Sequence, residues 1–155
     1  MAELTRAAEP GPVGTRPGAF YVLMGGKLGV SKIRSGEDLA SLVENRLPAT
    51  VVKSLVRGGL TDAEVYQLIV PRRTLAHRVA KHQLLSKGES DKAVRVARIT
   101  AFAEQVFGEP ERAWRWLREP KRRFGGKAPM EMLATDAGAR LVEEMIGQIE
   151  HGMFA

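Results

Sequence analysis

Cysteine is absent from all 155 residues. A disulfide framework and thiolate metal sites are therefore excluded, and a reducing cytosol fits. Long apolar runs are missing too. The stretch "AFYVLM" at 19 to 24 is far too short to cross a bilayer, and "MAELTRAAEPGPVGTRPGAF" shows no basic leader ahead of an apolar run. Neither export nor membrane insertion is expected, and a cytoplasmic location is. Strand signals are scarce: only "FYVLM" at 20 to 24 looks β-like, with "GGKLG" after it reading as a turn or loop. Motifs of enzyme chemistry are missing as well. His77 and His82 are five apart and diverge on a helix, and neither they nor His151 have metal-ligand spacing. "GGKLG" lacks the strand, helix and Lys-Ser/Thr ending of a phosphate loop, and no nucleophile motif surrounds a serine. The expectation is a protein with no catalytic residue, no metal and no cofactor.

The residues present form a globular chain. With 44% apolar residues, 155 positions suffice for one or two small domains with a proper core. Six of residues 10 to 18 are Pro or Gly, which prevents a helix or central strand there and predicts a mobile tail over 1 to 19. Residues 1 to 34 are expected to be flexible or only partly ordered. Charge is polarised along the chain: residues 72 to 127 hold 15 Lys/Arg against 6 Asp/Glu, whereas residues 128 to 155 hold 1 against 5. A basic middle suits a polyanion and an acidic end does not, so the two ends point to different partners.

Beyond residue 34 the chain reads as all-α. Ser35 with Asp38 opens a first helix bearing Leu39, Leu42, Val43 and Leu47, and Pro48 starts another that ends at Gly58-Gly59. Thr61 and Glu64 form a capping box for a helix whose apolar side is Val65, Leu68 and Ile69. Val70-Pro71 breaks it, and a new helix begins from Pro71, which makes a helix-turn-helix candidate within residues 35 to 84. Residues 85 to 155 form a second unit. Ser86 and Glu89 cap its long central helix, Gly108 closes that helix, and Pro110 starts one in which Trp114 and Leu117 share a face while Trp116 points elsewhere. A short helix follows from "PMEMLAT", and the last runs from about Asp136 to Glu150. Its apolar stripe is Leu141, Val142, Met145, Ile146 and Ile149, with Glu143, Glu144 and Glu150 outside it.

Angular sorting shows what the helix after Pro71 can do. At about 100° per residue, with Leu75 at zero, Val79, Ala76 and Ala80 lie within about 140°, while Arg73, Thr74, His77, Arg78 and Lys81 fall between about 160° and 300°. One face is set to pack on the preceding helix. The other presents the donors that meet phosphates and purine edges in a major groove, although a plain solvated face would also look this way. Arg72 falls on the apolar side. At the other end, Met153, Phe154 and Ala155 form an apolar tip after His151-Gly152. It can fold back on its own bundle, or enter a partner's groove while the neighbouring acidic helix faces a basic rim.

The order of segments then becomes recognisable. "VPRRTLAHR" followed by "LSKGESDKAVRVARITAFAEQVFGEPERAWRWLREPKRRFGGKAPMEMLATDAGARLVEEMIGQIEHGMFA" closely resembles the antitoxins of the Xre/MbcA/ParS type, which pair with RES-domain toxins. Pro71 to Leu75, Glu89-Ser90-Asp91, Phe107-Gly108, Trp116-Leu117, Gly125-Gly126, Ala128-Pro129 and Ile149 to Gly152 carry the likeness most specifically. The resemblance implies an all-α protein with a helix-turn-helix part and a C-terminal helical toxin-binding bundle. It implies a type II antitoxin that covers the active site of an NAD-consuming toxin and represses its own promoter. Carried onto this chain, Arg73, Thr74, His77, Arg78 and Lys81 face operator DNA, and Glu143, Glu144, Glu150, His151, Gly152, Met153, Phe154 and Ala155 contact the toxin. The partners implied are a RES-domain toxin and operator DNA, with the chain as a homodimer inside a hetero-oligomeric complex. The alternative is a stand-alone helix-turn-helix regulator whose C-terminal bundle only dimerises.

Overall fold

The structure, a computed structural model, describes residues 17–152, and everything said of it concerns those residues. Their regular structure is helical with no strand, in agreement with the all-α expectation, and the nearest approach to a sheet is one antiparallel bridge between Pro48 and Leu84. The helices are α1 (Pro17–Leu28), α2 (Gly36–Glu44), α3 (Val51–Arg57), α4 (Asp62–Leu68), α5 (Arg72–Ala80), α6 (Lys87–Phe107), α7 (Pro110–Arg118), α8 (Pro129–Met132) and α9 (Asp136–Glu150). A 3-10 turn, Arg122–Phe124, joins α7 to α8. The expected tail over residues 1 to 16 lies outside the described residues.

α6 is the axis. Ala93, Val96, Ala97, Ile99, Ala101, Phe102 and Ala103 are buried on it, and α1, α2, α7 and α9 pack round it. Its 21 residues start cleanly because Ser86 Oγ accepts the Glu89 N–H and the Glu89 carboxylate accepts the Ser86 N–H. Gly108 ends it at φ 76, a left-handed conformation that costs glycine least. Ser90, fully buried on α6, accepts the Leu47 N–H at 2.9 Å and thereby ties the chain between α2 and α3 to the axis.

α1 corrects the sequence reading. The β-like "FYVLM" and most of "GGKLG" lie inside it, and Pro17 to Ala19 open a helix where a mobile tail was expected. Phe20, Tyr21, Met24 and Leu28 repeat at helical spacing and are all buried, each worth about 1.5–3 kcal/mol on burial. The one β-branched residue of the run, Val22, faces solvent. Lys27 is buried too. Its Nζ lies 2.7 Å from Glu104 Oε1 on α6, and the same oxygen accepts the Trp114 indole N–H at 2.9 Å. A further difference concerns Pro48, which precedes α3 by three residues in a tight turn, the Val51 N–H donating to its carbonyl.

Candidate functional site

α4 and α5 meet at the break forced by Pro71, as expected for a helix-turn-helix. Thr61 and Glu64 cap α4 reciprocally, and Val65, Leu68 and Ile69 are buried behind it. α5 sits differently from expectation. None of its residues is buried, and Val79 is 44% exposed, so the predicted packing of a whole apolar face on the preceding helix does not occur. Leu75 alone reaches the core, half-buried. The exit from α5 is pinned instead: Arg46 Nε donates to Leu85 O at 2.8 Å, and the Leu85 N–H donates to Leu47 O.

The cationic side of α5 divides in two. Arg73, His77 and Lys81 are exposed, Thr74 is half-buried beside them, and none has a side-chain partner among the described residues. Arg78 is engaged. Its Nε donates to Glu89 Oε1 at 2.8 Å and its Nη2 to Glu89 Oε2 at 3.4 Å, so it is fastened to the cap of α6. Burial opposes the Glu89 charge more than any single other influence, yet the Ser86 N–H and hydroxyl and the Arg78 guanidinium together hold its carboxyl below the ordinary 4.5. Arg72, placed by angle on the apolar side, is exposed as the first residue of the helix.

Glu64 repeats this arrangement at the other end of the motif. It caps α4 and also accepts from Arg118 of α7, at 2.7 Å to Nη2 and 3.2 Å to Nε. Burial again leads the opposing influences, and hydrogen bonds from Arg118 and Thr61 outweigh it, so its carboxyl also lies below 4.5. Both capping glutamates are thus hubs. The caps were legible from their i, i+3 spacing, but arginines 11 and 54 residues away were not.

The acidic end rests on α9. Val142, Met145 and Ile146 are buried as the stripe required and Ile149 is half-buried, but Leu141 is 49% exposed and Ala139 takes an inner position instead. Glu144 faces solvent. Glu143 is half-exposed, 3.7 Å from Arg98 of α6, and Glu150 has one carboxylate oxygen buried with no hydrogen-bond partner. His151 and Gly152 are exposed at the end of the helix, while Met153, Phe154 and Ala155 lie outside the described residues. No group of three or more His, Asp or Glu that could hold a metal occurs among the described residues, nor a helix long and apolar enough to cross a membrane.

Comparison with known proteins assigns these two regions separately. A family model described as the antitoxin Xre-like helix-turn-helix domain matches residues 38–98, and one described as the antitoxin Xre/MbcA/ParS C-terminal toxin-binding domain matches residues 102–152. A protein of Pseudomonas putida named antitoxin Xre is 44% identical over 126 residues, covering 81% of this chain and 79% of its own. A second antitoxin Xre, from Photorhabdus laumondii, is 28% identical over 77% of this chain and 82% of its own. A Sphingobium protein named Prs ADP-ribosylating antitoxin is 26% identical with both chains covered in full.

Proposed function

The chain belongs to the Xre antitoxin family, with a helix-turn-helix domain and a toxin-binding domain, and on that premise we propose that it neutralises a RES-domain, NAD-consuming toxin and represses its own operon. In this reading it has no catalysis of its own. Inhibition comes from occupancy: the acidic side of α9 docks on a basic rim, and the tip from His151 through Met153, Phe154 and Ala155 enters the toxin's active site. Repression comes from α5, whose Arg73, Thr74 and His77 meet the operator with Lys81 at its C-cap, while Arg78 keeps the helix seated. Operator binding as a homodimer within the complex follows the two-fold symmetry of such sites.

One observation carries the proposal. The two oppositely charged surfaces, the unpaired cations of α5 and the carboxylates of α9, fall in the two segments that the helix-turn-helix and toxin-binding families claim. The test is co-expression with the candidate toxin while cellular NAD⁺ is followed. The full chain is expected to restore NAD⁺ and growth, and deletion of Met153 to Ala155 to lose most of that protection while operator binding persists. Full protection by the truncated chain would overturn the tip's role. Because one relative is named for ADP-ribosylation, protein-bound ADP-ribose is measured alongside: its accumulation without bulk NAD⁺ loss would identify a transferase partner that spends one NAD⁺ per modified site and releases nicotinamide, rather than one that depletes the NAD⁺ pool.

A further inference from the structure

Between the Gly58–Gly59 turn and α7 lies a groove of about 470 Å³ that neither the α5 face nor α9 accounts for. Arg57, Arg115 and Arg118 line it, with Glu111 as the opposing carboxylate and Trp114 below. Arg118 is already engaged, its Nη2 donating to Gly59 O at 2.7 Å and to Glu64. Its guanidinium lies over the Trp114 ring, 4.7 Å from the centroid. Arg57 and Arg115 are exposed, and no carboxylate pairs with either among the described residues. The groove therefore remains cationic after Glu111 is set against them. Its shape is built in: Gly59 has φ 126, and a Cβ there would meet the Trp114 indole at 2.6 Å, so only glycine lets the turn lie this close to α7.

We propose that this groove seats phosphates of the DNA backbone flanking the operator, as a second, non-base-reading contact of the repressor. Free guanidinium forks are the donors suited to phosphate, and two of them on one concavity are left unused by the rest of the molecule. DNA is favoured over an acidic protein segment by what the groove is built on. Gly59 lies two residues before the cap of α4, and Arg118 is clamped to Glu64 within α4. In helix-turn-helix docking the first helix crosses the phosphate backbone, and here that helix is α4. The groove's lining comes from α3, the turn and α7; α7 falls within the segment matched to the toxin-binding domain, but none of the lining comes from α9, where the toxin is read to dock. The inference rests on the DNA-binding reading of α4 and α5.

The test uses the full chain, a duplex of its own promoter region and an unrelated duplex of equal length, with affinities measured from low to moderate salt. Arg57→Ala with Arg115→Ala is expected to flatten the slope of log K against log salt by about 1 to 2, at about 0.9 per phosphate contact. Both duplexes should lose affinity by the same factor, leaving sequence preference and toxin binding unchanged. Arg115→Lys with Arg57→Lys should keep most of the slope. An unchanged slope in the Ala variant overturns the groove alone, and if toxin binding weakens instead, the groove takes an acidic segment of that partner. Absence of salt-dependent binding by the unaltered chain would overturn the DNA reading of α4 and α5 and the groove with it.

Discussion

Arg78 shows how one residue can change role without changing position. On a helical wheel it is another donor on a DNA-facing side. In the structure its guanidinium is held by Glu89, so removing it breaks a partly buried charge-assisted pair. Arg78→Ala is expected to cost about 1 kcal/mol in denaturant unfolding and to leave the salt slope of DNA binding unchanged. Arg73→Ala with Lys81→Ala is expected to do the reverse, flattening the slope by about 2 with little change in stability. Acid titration tests the two glutamate hubs. Their folded pKa values lie below the ordinary 4.5, so the stability they contribute is present above that pH and is lost as pH falls through the folded values. Thermal unfolding of the unaltered chain should therefore weaken more steeply below about pH 4.5 than that of a Glu64→Gln, Glu89→Gln variant.

Among the elements, α1 is the one least legible in the sequence. A five-residue apolar run does not distinguish a strand from a turn and a half of helix, and Gly25-Gly26 argues against helix by propensity. What decides it is a surface elsewhere in the chain: α6 and α3 cover Phe20, Tyr21, Met24 and Leu28, and Glu104 receives Lys27 from 77 residues away. Removing one partner of such a pair strands a buried charge. Lys27→Ala is expected to destabilise the chain by about 3 kcal/mol, read from denaturant midpoints, whereas Lys87→Ala, at an exposed pair with Glu44, should fall within about 0.5 kcal/mol of the unaltered chain. By contrast α4, α6 and α9 were legible because their signals are local: a hydroxyl and a glutamate three residues apart, a glycine after the last turn, a stripe at period 3.6.

At the scale of the whole molecule, the two family segments meet inside one helix. The match to the helix-turn-helix domain ends at residue 98 and that to the toxin-binding domain begins at 102, both within α6, and one hydrophobic core runs through both. α1, outside either match, packs on α3 of the first and on α6. Two parts that share a core should not melt apart. Unfolding followed by Trp114 and Trp116 fluorescence and by helical circular dichroism is expected to give superimposable transitions, and separated midpoints would show that the parts fold independently.

By itself the sequence determined the helical class, the position of the break at Pro71, the caps, and the segregation of positive charge from negative along the chain. These are properties of neighbours, written in residues three or four apart. Only the tertiary structure decided that α1 is helix, that Arg78 and Arg118 serve the capping glutamates, that α5 lies on the body with no buried residue, and that Arg57 and Arg115 share a groove. Each of these depends on groups brought together from distant parts of the chain or on the surface α6 provides, and no local period encodes such a meeting.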